Sequence, residues 1–150
     1  MVEAVSKTPW HLWVIGVLAT LWNAFGANDY TQTQMGNRGY FEMMGFDAAT
    51  TDAALAFFAG APAWADAAWA LGVWGGLAGS ILLLLRSRWA IAGFVASLLG
   101  LAGSTIYQMQ VEMPPELAEM NNPAMFAVIW VIALLLLWYA WTMRKRGVLR

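Results

Sequence analysis

Four long runs of apolar residues divide the chain, and none of them contains a charged residue. The runs are Leu12–Ala27, Ala67–Leu85, Trp89–Val111 and Pro123–Met143. A helix needs about 20 apolar residues to cross the hydrocarbon core of a bilayer, and each run approaches or exceeds that length. The pattern predicts an all-α, polytopic membrane protein with four transmembrane helices in a single integral membrane domain, residues 1–150. The predicted spans are about 10–27, 63–85, 89–111 and 123–143.

The segments between the runs carry turn and cap residues. A long polar loop is predicted over Asn28–Ala61, in which Thr51-Asp52 could cap a short interfacial helix that ends at Phe57-Phe58. The turn at 86–88 is short, so the second and third spans should form an antiparallel hairpin. Prolines at 114 and 115 should end the third span, and Asn122-Pro123 should start the fourth.

Basic residues fall on one side of the membrane if the four helices are threaded alternately. That side carries Lys7, Arg86, Arg88, Arg144, Lys145, Arg146 and Arg150. Acidic residues dominate the other side, where Arg38 is the single basic residue of the loops. Because short basic loops stay in the cytoplasm, both termini are predicted to be cytoplasmic. The expected location is the bacterial inner membrane, as a multi-pass protein.

The first apolar run has an alternative interpretation as a signal peptide. Lys7 precedes it, and Ala24-Phe25-Gly26 offers small residues at a plausible cleavage spacing. Trp10 and Trp13, however, are typical of a helix that stays anchored at the membrane interface. We therefore expect a resident transmembrane helix.

The composition agrees with a membrane protein and otherwise only excludes certain partners and cofactors. Hydrophobic residues make up 61% of the chain and charged residues 11%, values typical of a small membrane bundle. The net charge is −1, and the few basic residues are explained by membrane orientation, so we expect no nucleic-acid partner. The chain has no cysteine and a single histidine, so we expect no metal and no cofactor.

Small residues at helical spacing predict the faces on which the helices pack. Helices in lipid associate by close backbone approach, so such residues mark contact surfaces. The fourth span is nearly all Leu, Ile, Val and Ala, and we expect it to be the most lipid-exposed helix. The predicted packing residues are Gly16, Gly72, Gly75, Gly76, Gly79, Gly93, Ser97, Gly100 and Ser104.

The polar residues inside or beside the spans share a depth near the acidic side. They predict a vestibule that could bind a ligand, formed by Asn23, Asp29, Asp66, Tyr107 and Gln108. Structural interpretations remain open: Asp66 could be held by the dipole of its helix, and Asn23 could donate a hydrogen bond to the third span. We predict no catalytic residues, because the one histidine, His11, lies on the side opposite to most of the carboxylates.

Several stretches resemble a family of small proteobacterial inner-membrane proteins. They are Leu21-Trp22-Asn23-Ala24-Phe25-Gly26, Asp29-Tyr30, Ala61-Pro62-Ala63-Trp64, Trp69–Gly76, and Leu137-Trp138-Tyr139-Ala140 with the basic tail. Members of that family are mostly uncharacterised, and some carry the label "sugar transporter". The resemblance implies four spans and adds some weight to transport of a small solute.

Two functions from different classes follow. The first is a non-enzymatic accessory or scaffold subunit that binds another membrane protein or lipid. The second is a small-solute transporter that works as a homo-oligomer, and the resemblance implies sugars as its solutes. A transporter needs a polar path through the membrane, and this chain offers only a thin one, so the accessory function is preferred.

Overall fold

The protein is entirely helical over the part of the chain that its computed structural model describes, residues 7–119 and 121–150. The predicted domain 1–150 therefore includes residues outside that description. The helices are α1 (Trp10–Gln34), α2 (Arg38–Met43), α3 (Ala48–Ala59), α4 (Ala63–Leu84), α5 (Ala90–Gln110), α6 (Pro115–Ala118) and α7 (Pro123–Lys145).

Four of these helices, α1, α4, α5 and α7, are long and apolar enough to cross a membrane. This confirms the predicted all-α class with four spans. The most extensive packing joins α4 to α5; α1 packs on the other side of α4, and α7 packs on α5. Helix α7 has the smallest buried share of the four. We call the end of the bundle with α2, α3 and α6 the acidic end, and the end with the 86–88 turn the basic end.

Helix α1 is longer than the apolar run from which it is predicted. Its predicted end at Ala27 is wrong as a helix boundary, because the helix continues to Gln34. Residues 28–34 are polar but include neither glycine nor proline, so nothing in them interrupts the backbone hydrogen bonds. The chain turns only at Gly36, whose φ is +62°. The polar last turns of α1 therefore continue the same helix beyond its apolar part.

A small helical cap covers the acidic end. Its core contains Tyr40, Phe41, Ala54 and Leu117, from α2, α3 and α6. The short helix to Phe57-Phe58 is present, but the predicted cap at Thr51-Asp52 is wrong. Asp47 caps α3 instead, where its carboxylate accepts a hydrogen bond from the Thr50 backbone N–H at 2.8 Å.

Glycines bring α4 and α5 into backbone contact. A Cβ added at Gly93 would lie 2.6 Å from the Cα of Gly79, and one added at Gly100 would lie 2.6 Å from the Cα of Gly72. Neither pair leaves room for a side chain. Gly76 lies between α1 and α5: a Cβ added there would meet the Asn23 side chain of α1 and would lie 3.1 Å from Ser97 Oγ of α5. The glycines of α4 thus allow close packing on both of these neighbours.

An apolar cluster closes the basic end. It includes Leu12 of α1, Leu83 of α4, Phe94 of α5 and Met143 of α7, all at most 2% exposed. The C-terminal residues Val148 and Leu149 join this cluster. Backbone hydrogen bonds from Arg150 N to Arg86 O (2.9 Å) and from Arg88 N to Arg150 O (2.7 Å) attach the tail to the α4–α5 turn.

Candidate functional site

A cleft of about 400 Å³ lies between α1 and α7, with α4 and α5 behind it. Helices α1 and α7 are joined at the basic end, where His11 Nδ1 lies 2.6 Å from the Tyr139 hydroxyl. Nearer the acidic end they are not a closely packed pair, and the gap between them is the mouth of the cleft. Half-exposed Phe25 and Met125 stand at this mouth.

The walls of the cleft are mostly apolar. On α5 the lining extends from Phe94 to Gln108, a rise of roughly 21 Å along the helix. Helix α7 contributes only apolar side chains to it: Met125, Phe126, Ile129, Ile132, Ala133 and Leu136. A volume of this size lies in the range of ordinary small-molecule sites. The cleft therefore suits a long, apolar group that lies parallel to the helices.

The hydrogen-bond donors in the middle of the cleft are already engaged by protein atoms. The Asn23 side chain donates through Nδ2 to Ala19 O at 2.9 Å and to Ser80 Oγ at 3.0 Å. The Ser97 hydroxyl donates to Gly72 O at 2.7 Å. Both interactions hold neighbouring helices together, so neither donor is free for a ligand.

The cleft ends blindly toward the basic end. The part of the cleft nearest the basic end is lined by Phe94, Ile132 and Leu136. Phe94 and Leu136 belong to the apolar cluster that closes the bundle there, and Ile132 packs against it. Between the level of Asn23 and Ser97 and the basic end, the described residues that line the cleft are therefore apolar. The polar path that a transporter requires does not continue to the basic end in this conformation.

A second cavity of about 260 Å³, the vestibule, lies at the acidic end. Its walls come from α1, α3, α4 and α5 and include Asp66, Tyr107 and Met113. The Gln34 side-chain amide donates a hydrogen bond to the Asp66 carboxylate, which ties the end of α1 to the start of α4. Asp66 thus has a specific partner outside its own helix, as well as its position in the first turn of α4.

Aromatic rings line or border this vestibule. Trp69 contacts Tyr30 and Phe58 at ring-centroid distances of 5.0 and 5.1 Å. Tyr107 lies against Trp64 at 5.7 Å and against Phe57 at 6.3 Å. Such edge-on and tilted pairs fix ring positions beyond what apolar burial alone gives. The vestibule therefore has firm walls rather than loosely attached loops.

Four residues border both cavities and join them: Asp29, Trp69, Ser104 and Gln108. The buried Ser104 hydroxyl has no hydrogen-bond partner among residues 7–119 and 121–150. Asp29 accepts a hydrogen bond from the Tyr40 hydroxyl at 3.0 Å, so the cap also reaches this junction. Burial and this bond to Asp29 raise the pKa of Tyr40 to about 12. The junction is the place where an apolar cleft meets a polar, acidic chamber.

All five residues of the predicted vestibule border one or both cavities. Asn23 lines only the cleft, Asp66 and Tyr107 only the vestibule, and Asp29 and Gln108 both. The interpretation of Asn23 as a donor to the third span is wrong, because its partner Ser80 lies on α4. Gly76, which lacks a side chain, lets the Asn23 amide approach α4 this closely.

Other lining residues escaped prediction from the sequence. Phe57 and Phe58 were expected at the headgroup level, yet they pack on Tyr107 and Trp69 and line the vestibule. Trp69, which packs on Phe58, lines both cavities. The length of α1 is the feature from which their position could have been predicted. Because the helix extends to Gln34, the segment that follows it must return over the end of the bundle to reach α4.

The electrostatic character of the two cavities is acidic. Asp29 and Asp66 are the charged residues among those that line them, and no lysine or arginine of the described residues lies in either wall. Arg38 is a basic residue of the acidic end. It forms an ion pair with Asp52 at 2.5 Å on the exterior of the cap. The site is therefore suited to cationic or uncharged polar groups and disfavours anions.

Within residues 7–119 and 121–150, no three His, Asp or Glu side chains come together as a metal site would require. His11 contacts Tyr139 at the basic end, far along α1 from the carboxylates of the vestibule. In the described part of the chain the arrangement offers binding surfaces and no nucleophile–base pair.

Comparison with known protein families, curated proteins and solved structures finds no match. The class of the molecule thus rests on its own four long apolar helices, which make it a helical, multi-pass type of membrane protein. The resemblance to small proteobacterial inner-membrane proteins stays a prediction.

Proposed function

We propose that this chain is a non-enzymatic accessory or scaffold subunit of the membrane, and that it binds a lipid or a segment of another membrane protein in the α1–α7 cleft. The observation that carries the proposal is the shape of the cleft. It is apolar, elongated and open between two helices, and it is blind at the basic end. Such a space accommodates a partner from within the bilayer.

The position of the mouth supports this function over catalysis. Side chains that face lipid, such as Phe25 and Met125, border the opening, so an occupant can enter sideways from the bilayer. Entry from water would instead pass through the vestibule, whose walls are fixed by aromatic contacts. Lateral entry suits a molecule that is already dissolved in the membrane.

The second candidate function is transport of a small solute by a homo-oligomer. The specific observation in its favour is that polar residues at the acidic end converge on a chamber of about 260 Å³. Against it stands the apolar cluster at the basic end, which would have to separate to open a pathway. We rank transport second for this reason.

We also propose the orientation that the charges predict, with the basic end in the cytoplasm and the acidic end on the opposite side of a bacterial inner membrane. Described residues at the basic end include Arg86 and Arg144, whereas Asp29 and Asp66 lie toward the other end. Positive charge near the membrane is retained in the cytoplasm. The acidic cavities would then face the opposite compartment.

The test is purification from the native membrane in mild detergent, followed by mass spectrometry of the intact complex. Two tryptophan substitutions make a matched pair. Ala133→Trp places a large ring in the cleft, whereas Leu134→Trp places the same ring on the exposed side of α7. We expect a stoichiometric lipid or membrane protein with the wild-type chain and with Leu134→Trp, and its loss with Ala133→Trp.

Two results would overturn the proposal. One is retention of the bound component by Ala133→Trp, which would show that it binds elsewhere. The other is a homo-oligomer with nothing bound that takes up a solute when reconstituted in vesicles, which would move transport to first place.

A further inference from the structure

We propose that the occupant of the cleft is a membrane amphiphile with a long alkyl chain and a cationic amine head group. The alkyl chain lies between α1 and α7, and the amine lies at the junction of cleft and vestibule, beside Asp29. This inference rests on the proposed function of the cleft as a binding site, and it adds the chemical class of the ligand.

The length and composition of the cleft select an alkyl chain. Its lining on α5 rises roughly 21 Å, more than half of the 30 Å or so of a hydrocarbon core. Along most of this length the wall is apolar, and the hydrogen-bond donors of Asn23 and Ser97 are already bonded to protein atoms. A ligand with hydrogen-bonding groups along its length would leave them without partners, which costs free energy in a dry site.

The end of the cleft selects the head group. At the junction the Asp29 carboxylate, the Ser104 hydroxyl and the Gln108 amide all border the space. Tyr40 uses one oxygen of Asp29, and a carboxylate can accept several hydrogen bonds at once. Ser104 has a hydroxyl without a partner. Together these groups offer acceptors for an ammonium group, which carries only donors.

The charge balance separates an amine from a phosphate or a carboxylate head group. Asp29 and Asp66 both border the vestibule, and neither cavity has a basic residue in its described wall. Arg38, which could have offset them, is held by Asp52 outside. An anionic head group would therefore meet the like charge of Asp29 at the junction, whereas an ammonium group is attracted by Asp29 and, from farther away in the vestibule, by Asp66.

The experiment uses three probes with the same chain: hexadecylamine, hexadecanol and hexadecyl phosphate. Each is titrated into the full-length protein in a non-ionic maltoside detergent, and the bound fraction is read by native mass spectrometry. We expect a one-to-one complex with the amine, with an affinity about tenfold or more above that of the phosphate. Asp29→Asn keeps the shape and the acceptor oxygen for Tyr40, and it should lower the affinity for the amine about tenfold while hexadecanol binding is unchanged.

Matched controls separate this inference from the function on which it rests. Asp47→Asn removes a carboxylate at the exposed cap of α3 and should leave amine binding unaltered. Ala133→Trp should remove binding of the amine and the alcohol alike. Equal affinity for all three probes, blocked by Ala133→Trp, would overturn the amine head group and leave the cleft as a binding site. No binding of any probe, together with no component retained from the native membrane, would overturn both.

Discussion

Asn23 and Ser80 join α1 to α4 by a hydrogen bond of 3.0 Å, at the depth where the polar lining of the cleft ends. Ser80 is completely buried, and its hydroxyl donates a hydrogen bond to Gly76 O at 2.8 Å. The bond sets the separation of α1 from α4, and thereby one wall of the cleft. Toward the acidic end from this bond the mostly apolar lining also includes Asp29, Ser104 and Gln108; toward the basic end the bundle is closed by apolar packing.

The coupling between these two side chains should be measurable. In a double-mutant cycle with Asn23→Leu and Ser80→Ala, we expect a coupling of about 0.6 kcal/mol, and no more than about 1.7, the range typical of hydrogen bonds between helices in membranes. The measurement is the free energy of unfolding in mixed detergent micelles. Thr20→Val is the control, since the Thr20 hydroxyl bonds only to Gly16 O within α1. A coupling near zero would mean that the bond does not hold α1 to α4.

Close approach of α4 and α5 gives a second prediction. Gly93→Ala should destabilise the protein by about 1–3 kcal/mol, because the new Cβ would meet the backbone of Gly79. Gly26→Ala is the matched control: its nearest neighbour would be Val73 Cγ1 at 3.6 Å, an ordinary contact. Thermal unfolding in detergent should show a lower Tm for the first variant only. Equal Tm values would contradict backbone contact between the two helices.

The buried Tyr40 hydroxyl predicts a change at alkaline pH. Its pKa is raised from 10.0 to about 12 by burial and by the bond to Asp29, so the unfolded chain ionises first. The stabilising contribution is complete below pH 10 or so and is lost as the pH rises through about 12. Phenolate absorbance of the wild type minus that of Tyr40→Phe should show this late titration. A difference titration near the ordinary tyrosine value would contradict the buried bond.

The proposed orientation can be tested with single cysteines, since the native chain has none. Ser87→Cys lies in the turn at the basic end, and Ala49→Cys lies in α3 at the acidic end. In intact spheroplasts, a membrane-impermeant maleimide should label Ala49→Cys at once and Ser87→Cys only after the membrane is permeabilised. The reverse pattern would place the acidic end in the cytoplasm.

The sequence predicts the spans well because hydrophobic length is a local property. The apolar runs ending at Leu85 and Val111 correspond to helices that end within a residue or so of those positions. Helix α1 shows the limit of this reasoning: the change from apolar to polar residues at Asn28 marks the edge of a hydrocarbon layer and not the end of a helix. Backbone hydrogen bonds continue as long as no residue interrupts them.

The candidate site is less predictable because it depends on which helices are neighbours. The shared depth of Asn23, Asp66 and Gln108 can be derived from their positions in the chain, and they do border two adjoining cavities. The α7 wall cannot be derived this way, since Ile129 and Ala133 look like any other lipid-facing residues. They line the cleft only because α7 packs on α5 and leaves a gap toward α1.

Photo-crosslinking in the native membrane tests the central claim, that the α1–α7 cleft holds a specific occupant. A benzoylphenylalanine is placed at Ile129, inside the cleft, and in a separate variant at Val131, on the exposed side of α7. We predict one discrete adduct from position 129 and a mixture of bulk lipids from position 131. The same mixture from both positions would contradict a specific occupant and show that the cleft is filled by bulk lipid alone.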